Sequence, residues 1–216
     1  MLRVNIGCGQ TPTPGWVNFD NSLSLRLARV PFLPAMLRSM HLLGVKQNAF
    51  IQFARNNNIQ YGDATQGLPL PAESCEVIYS SHMLEHLDQT GAARFLEEAH
   101  RILCPGGIIR LVVPDIRHLV DEYNESGDAD AFVKATLMCA PTPRSLLQRL
   151  SLLFVGTRHH LWMYDGESLR KLLVRNRFVD GEVLPVGETK ILDPGWLDLR
   201  EREAGSVYVE AQKPLE

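Results

Sequence analysis

Cysteine is scarce in this sequence: Cys8, Cys75, Cys104 and Cys139 are the only four in 216 residues, widely spaced and without a C-x-x-C pair. That argues against a disulfide framework or a cysteine-based zinc site and leaves reduced thiols, three of them core filler. No apolar run approaches the roughly 18 residues that would span a bilayer. The amino terminus passes straight into Leu2-Arg3-Val4-Asn5-Ile6, with no basic region followed by an apolar stretch and a small-residue cleavage site. A cytoplasmic protein is expected, at most peripheral at the inner membrane surface. Repeats and low-complexity segments are missing too, and the length suits one α/β domain over residues 1–216.

Acidic residues are absent from two stretches. Residues 21–62 contain no Asp or Glu while Arg26, Arg29, Arg38, Lys46 and Arg55 give +5, and residues 131–164 are also acid-free while Lys134, Arg144, Arg149 and Arg158 give +4. The net charge is −3, so the remainder carries −12. A solvated face usually mixes both signs, so these stretches suggest an anionic partner such as a phosphorylated or lipid-linked saccharide, or a membrane surface. The plainer reading is helices that pack their apolar sides and pair Arg with acids elsewhere. Nucleic acid is not expected, because the chain is not basic as a whole and shows no recognition motif.

What is present is an alternation of strands and helices. Leu2 to Ile6 reads as a buried strand, Trp16 to Asp20 as a second, Ile59 to Asp63 as a third and Cys75 to Tyr79 as a fourth. Ala92, Phe95, Leu96, Ala99, Ile102 and Leu103 then recur at helical spacing up to Pro105-Gly106-Gly107, and Ile108 to Val113 reads as a strand buried on both faces. Helical stretches over about 116–124 and 130–155 follow, then a helix capped by Asp165, and the strands Phe178 to Val186 and Val207 to Ala211 close the set. This order implies a mostly parallel sheet with helices on both faces and an antiparallel closing strand. Helical insertions at about 22–56, broken at Pro31 and Pro34, and at about 130–160 are expected to form a lid over an acceptor.

In such folds ligands bind at the carboxyl ends of the central strands. Gly7-Cys8-Gly9 lets backbone approach a ligand, Asp20 is placed to accept from two ribose hydroxyls, Asp63 can take an exocyclic amine with Ala64 leaving room for the ring, and Ser80 and Ser81 end the fourth strand. A tight turn needing glycine would explain Gly-x-Gly alone; the ordered set of strand-end residues carries more. A dinucleotide site wants a third glycine and a helix facing the pyrophosphate, but here stand Pro12, Pro14 and a link too short for a full helix. A phosphate-free nucleoside cofactor fits better, and a nicotinamide oxidoreductase is disfavoured.

Val4-Asn5-Ile6-Gly7-Cys8-Gly9, Trp16-Val17-Asn18-Phe19-Asp20, Gly62-Asp63-Ala64, Leu84-Glu85-His86-Leu87 and Arg101-Ile102-Leu103-Cys104-Pro105-Gly106-Gly107 together resemble a class I S-adenosylmethionine (SAM)-dependent methyltransferase. The likeness is to the small bacterial type linked with polysaccharide or secondary-metabolite modification. It implies a Rossmann-like fold and SAM held by Asn5, Gly7, Cys8, Gly9, Asp20, Asp63, Ala64 and Ser80. Two positions depart from the pattern: Asn5 stands where an acid is usual, and Glu76 replaces an Asp on the fourth strand.

Methylating an alcohol requires removal of its proton, so a general base is expected near the fourth strand's end or in a capping segment. His82, Glu85 and His86 would share one face if a helix began after Ser81. His82 is the candidate base; Glu85 and His86 are candidate acceptor contacts, with stabilisation of the helix start as the plainer role. Read literally, the run is also H-x-x-E-H, a zinc-protease motif, disfavoured here because five letters recur by chance and follow a Rossmann-type strand. A second cluster runs from Arg158 to Asp165: His159 and His160 are further candidate bases, and Trp162 and Tyr164 candidate acceptor-stacking faces. A buried aromatic anchor is the competing reading there. Asp115 is a possible Mg²⁺ ligand with His82 or His159, although capping the next helix is the simpler role. The expected activity is O-methylation of a sugar hydroxyl or similar small acceptor; the alternatives are a non-sugar metabolite as acceptor, or a degenerate SAM-binding module.

Overall fold

The computed structural model describes residues 1–22, 25, 45–139 and 159–216. Seven strands form one sheet: β1 (Leu2–Ile6), β2 (Val17–Asp20), β3 (Gln60–Tyr61), β4 (Cys75–Ser81), β5 (Leu103–Pro114), β6 (Val179–Leu184) and β7 (Ser206–Gln212), in the order β3-β2-β1-β4-β5-β7-β6. Neighbours from β3 to β5 run parallel, and β7 pairs antiparallel with both β5 and β6. This is the expected Rossmann-like sheet with one antiparallel closing strand. The described helices are α1 (Val45–Asn56), α2 (Gln89–Ile102), α3 (Ile116–Ser126), α4 (Ala129–Ala135) and α5 (Gly166–Arg175). Arg26, Arg29, Pro31, Pro34, Arg38, Arg144, Arg149 and Arg158, and most of both expected insertions, lie outside the described residues.

The main core joins Val4, Ile6, Phe19 and Ile78 of the strands to Phe95, Leu96, Ala99 and Ile102 of α2 and to Leu169 and Leu173 of α5. Asp88 caps α2 through Gly91 N–H, and Asp165 caps α5 in a reciprocal capping box with Ser168. Each cap turns a polar residue in the loop into the start of an apolar helical face.

Two expectations needed revision. β3 is only Gln60–Tyr61, because Asp63 turns back into an isolated bridge with Gly67. β5 begins at Leu103 rather than Ile108: it pairs with Cys75 before Pro105 and then rejoins β4 at Val77 opposite Ile108. The expected burial of β5 on both faces holds and extends to its one charged residue within 108–113. Arg110, completely buried, ion-pairs at 2.6 Å with Glu210 directly across the strand pair and lies 5.2 Å from the Tyr208 ring centroid.

The link between β1 and β2 holds no helix. Asn18 accepts from Thr13 N–H and donates to the carbonyls of Thr13 and Trp16, while Asn5 donates to Thr11 O and Thr13 Oγ1. Two buried asparagines thus satisfy backbone groups that a crossover helix would have satisfied itself.

Candidate functional site

The carboxyl ends of β1, β2 and β4 converge on the loop Gly7-Cys8-Gly9. Gly7 has φ +75°, and a Cβ there would fall 2.5 Å from Met83 Cγ, so glycine is required for the loop to seat against the chain leaving β4. Gly9 has φ +50° but its missing Cβ would meet nothing within 4 Å, which leaves backbone facing open space. Asp20 fixes this loop: Oδ2 accepts from Gly9 N–H at 3.0 Å and Oδ1 from Ser22 N–H at 2.8 Å. Each carboxylate oxygen retains a lone pair, which suits a ribose diol.

The remaining cofactor candidates are placed as follows. Asn5 and Ser80 are buried; Ser80 donates to Ile6 O at 2.9 Å and locks β1 to β4 beneath the loop. Burial, with Asp20 nearby, pushes the Cys8 thiol up to about 12, so it stays neutral within the Gly7-Cys8-Gly9 loop. Asp63 accepts from Thr65 N–H and Oγ1 and from Gln66 Nε2, a local turn that presents Ala64, itself buried. Residues missed in the sequence close the other side. Thr11 Oγ1 donates to Glu201 Oε1 at 2.9 Å, and the buried Tyr79 hydroxyl donates to Glu201 Oε2 at 2.6 Å. Glu201 comes from the segment between β6 and β7, too far along the chain for spacing to reveal it.

His82, Glu85, His86 and His160 meet beside this loop. No α-helix begins after Ser81, contrary to the shared-face expectation: His82 has φ +49°, a strained setting for a side-chain-bearing residue, and a single 3₁₀ turn, Leu84–His86, follows. The bend brings His82 Nδ1 to 3.4 Å from Glu85 Oε1, while His82 Nε2 lies 3.0 Å from Ser206 Oγ at the start of β7. Glu85 is 1% exposed and neither carboxylate oxygen has a hydrogen-bond partner. Its backbone carbonyl accepts from Leu161 and Trp162 N–H, which joins the two histidine segments that the sequence separates by more than 70 residues.

His160 Nε2 and His86 Nε2 each lie 3.9 Å from Glu85 Oε1, and the two rings meet edge to face with centroids 5.1 Å apart. Burial holds the His160 ring below the usual imidazole range against the opposing pull of Glu85. His159 contributes its carbonyl, 3.0 Å from His86 Nδ1. Trp162 is 40% exposed and suits an acceptor-facing wall, but Tyr164 is 3% exposed and belongs to the core; burial, with Glu85 nearby, pushes its phenol up to about 12. Tyr164 is therefore a packing residue rather than a stacking face. Asp115 accepts from Arg117 N–H as the cap of α3, and among the described residues the group with metal-ligating geometry is Glu85, His86 and His160, without Asp115.

A family model described as a methyltransferase domain matches residues 4–111. No curated protein matches. Among solved structures, a SAM-dependent methyltransferase from Thermotoga maritima, described as a possible histamine N-methyltransferase, is 17% identical with TM-score 0.53, covering 98% of this chain and 82% of its own. A SAM-dependent methyltransferase from Methanosarcina mazei is 16% identical with TM-score 0.53, covering 99% and 92%. At these identities the likeness is one of fold.

Proposed function

Given that the chain belongs to the methyltransferase-domain family and is a SAM-dependent methyltransferase, we propose that it methylates a hydroxyl of a sugar or similar small acceptor, with His82 as general base. SAM supplies an electrophilic methyl group on its sulfonium. The protein must hold the acceptor oxygen in line with that methyl and take up the hydroxyl proton, while the sulfur leaves with its bonding pair as the neutral thioether.

The observation that supports this is the His82–Glu85 pair at the end of β4, next to the loop that Gly7 seats against Met83. In the Nδ1–H tautomer, with Nδ1 3.4 Å from the nearer Glu85 carboxylate oxygen, Nε2 carries the lone pair. That nitrogen faces a hydroxyl already, Ser206 Oγ at 3.0 Å, so an acceptor hydroxyl can occupy the same position when Ser206 turns aside. His160 is more deeply buried, and only the carbonyl of His159 enters the cluster. The exposed face of Trp162 suits stacking on a sugar ring. The acid-free stretches favour an anionic or lipid-linked acceptor, with peripheral membrane contact as one route to it.

Methyl transfer from labelled SAM to a panel of free and phosphorylated sugars tests this. His82→Ala should lower kcat by about 10²- to 10⁴-fold with SAM affinity retained. A loss of that size in His159→Ala, with His82→Ala unaffected, would move the base to the second cluster. No transfer to any hydroxyl acceptor would overturn the substrate class.

A further inference from the structure

We propose that Glu85, His86 and His160 form a binding site for a zinc-class divalent transition-metal ion. The three ligand atoms lie within 4.8 Å of one another, with both imidazole Nε2 atoms 3.9 Å from Glu85 Oε1. Ligands about 2.0–2.2 Å from a tetrahedral zinc stand roughly 3.3–3.5 Å apart, so each needs to move inward by less than about 1 Å.

Three features fit a cation rather than an incidental cluster. The Glu85 carboxylate is 1% exposed and unpartnered at both oxygens, a costly arrangement that a bound cation would relieve. His86 Nδ1 is 3.0 Å from the His159 carbonyl, so that nitrogen carries the proton and Nε2, the one facing Glu85, is left as the metal-binding lone pair. Such a bond to a backbone carbonyl is the usual support of a ligating histidine. Finally, Leu161 and Trp162 N–H on the Glu85 carbonyl hold the two ligand segments at fixed separation before any metal arrives.

The donor set selects the metal. Two imidazoles and one carboxylate suit Zn²⁺, Fe²⁺ or Co²⁺, whereas Mg²⁺ seeks an all-oxygen, partly hydrated shell. Three protein ligands leave one tetrahedral position for water or a substrate oxygen, and His82 Nδ1 stands 3.4 Å from the same Glu85 oxygen. The inference goes beyond the proposed methylation and stands on metal binding alone.

The test uses the full chain stripped with a chelator and titrated with Zn²⁺ in excess Mg²⁺, followed by Co²⁺. One zinc per chain is expected, with the intense visible bands of four-coordinate cobalt. Glu85→Gln and His160→Gln should each weaken zinc by more than about 10-fold, the smaller effect known for merely outer-shell partners, with unchanged circular dichroism. If either variant unfolds, His86→Ala, at a more exposed position, takes its place. No stoichiometric zinc, a six-coordinate cobalt spectrum, or equal zinc affinity in wild type and folded variants would overturn the site. SAM calorimetry on the stripped chain separates this outcome from any failure of the methyltransferase reading.

Discussion

Two glutamates in this molecule are each 1% exposed, and their surroundings are opposite. Glu210 accepts from Arg110 and Thr189 at 2.6 Å each and from Lys190 N–H at 2.7 Å. Glu85 accepts from nothing, although three imidazoles lie within 3.9 Å of one of its oxygens. Burying a carboxylate is tolerable when its lone pairs are met. Glu210 therefore belongs to the scaffold, where it pins the closing strand to β5. Glu85 is left with both carboxylate oxygens open, the feature on which the proposed cation site rests. Asp20 lies between these extremes: two backbone N–H groups hold it, one on each carboxylate oxygen, and each oxygen keeps a spare lone pair.

The contrast can be broken from its satisfied end. Arg110→Met would strand Glu210 without its cation and is expected to cost about 3–5 kcal/mol, read as a fall in denaturant midpoint with unchanged slope. A loss under about 1 kcal/mol would mean that the closing pair tolerates an orphaned carboxylate, and the distinction drawn above would fail. At the unsatisfied end, zinc at a hundredfold excess over its dissociation constant should stabilise the wild-type chain by about 2.7 kcal/mol, seen as a raised Tm. Glu85→Gln should lose that increment, while costing the metal-free chain little because the amide is neutral.

Asp20→Asn sharpens the intermediate case. It keeps the side-chain shape but removes the charge that two ribose hydroxyls would donate to, and SAM affinity measured by calorimetry should fall by about 10- to 100-fold. The smallest effect belongs to Asp165, whose carboxyl is held below the usual carboxylate range chiefly by Ser168 N–H. A depressed carboxyl stabilises the fold at neutral pH and loses that contribution as pH falls through its folded value. Asp165→Ala should cost about 1 kcal/mol at pH 7, and the gap from wild type should close in acid. A gap that persists unchanged at low pH would show that the charge contributes nothing to the cap.

Much of the framework could be read from residue order alone, because strand ends and helix caps are local events. Gly7, Asp20 and Asp63 were legible as positions at strand ends, and Asp165 as a cap, since each acts on backbone within a few residues. The proximity of His82 and His86 to Glu85 was anticipated from a regular helix that does not form. A left-handed turn and a 3₁₀ step make the approach, where a regular helix was expected. Tyr164 looked like a pocket wall because composition does not tell a buried phenol from a half-exposed one.

The sequence by itself determined the alternation of strands and helices, the short helix-free link that carries Pro12 and Pro14 between the first two strands, and the family to which residues 4–111 belong. Apolar periodicity, capping and turn chemistry are short-range and leave their mark on neighbouring letters. Only the tertiary structure decided that His160 reaches Glu85, that Glu201 closes on Thr11 and Tyr79, and that Arg110 meets Glu210. The Arg110–Glu210 pair depends on the register of β5 against antiparallel β7, and the others on connecting segments packed together from distant parts of the chain, long-range properties that no local pattern encodes.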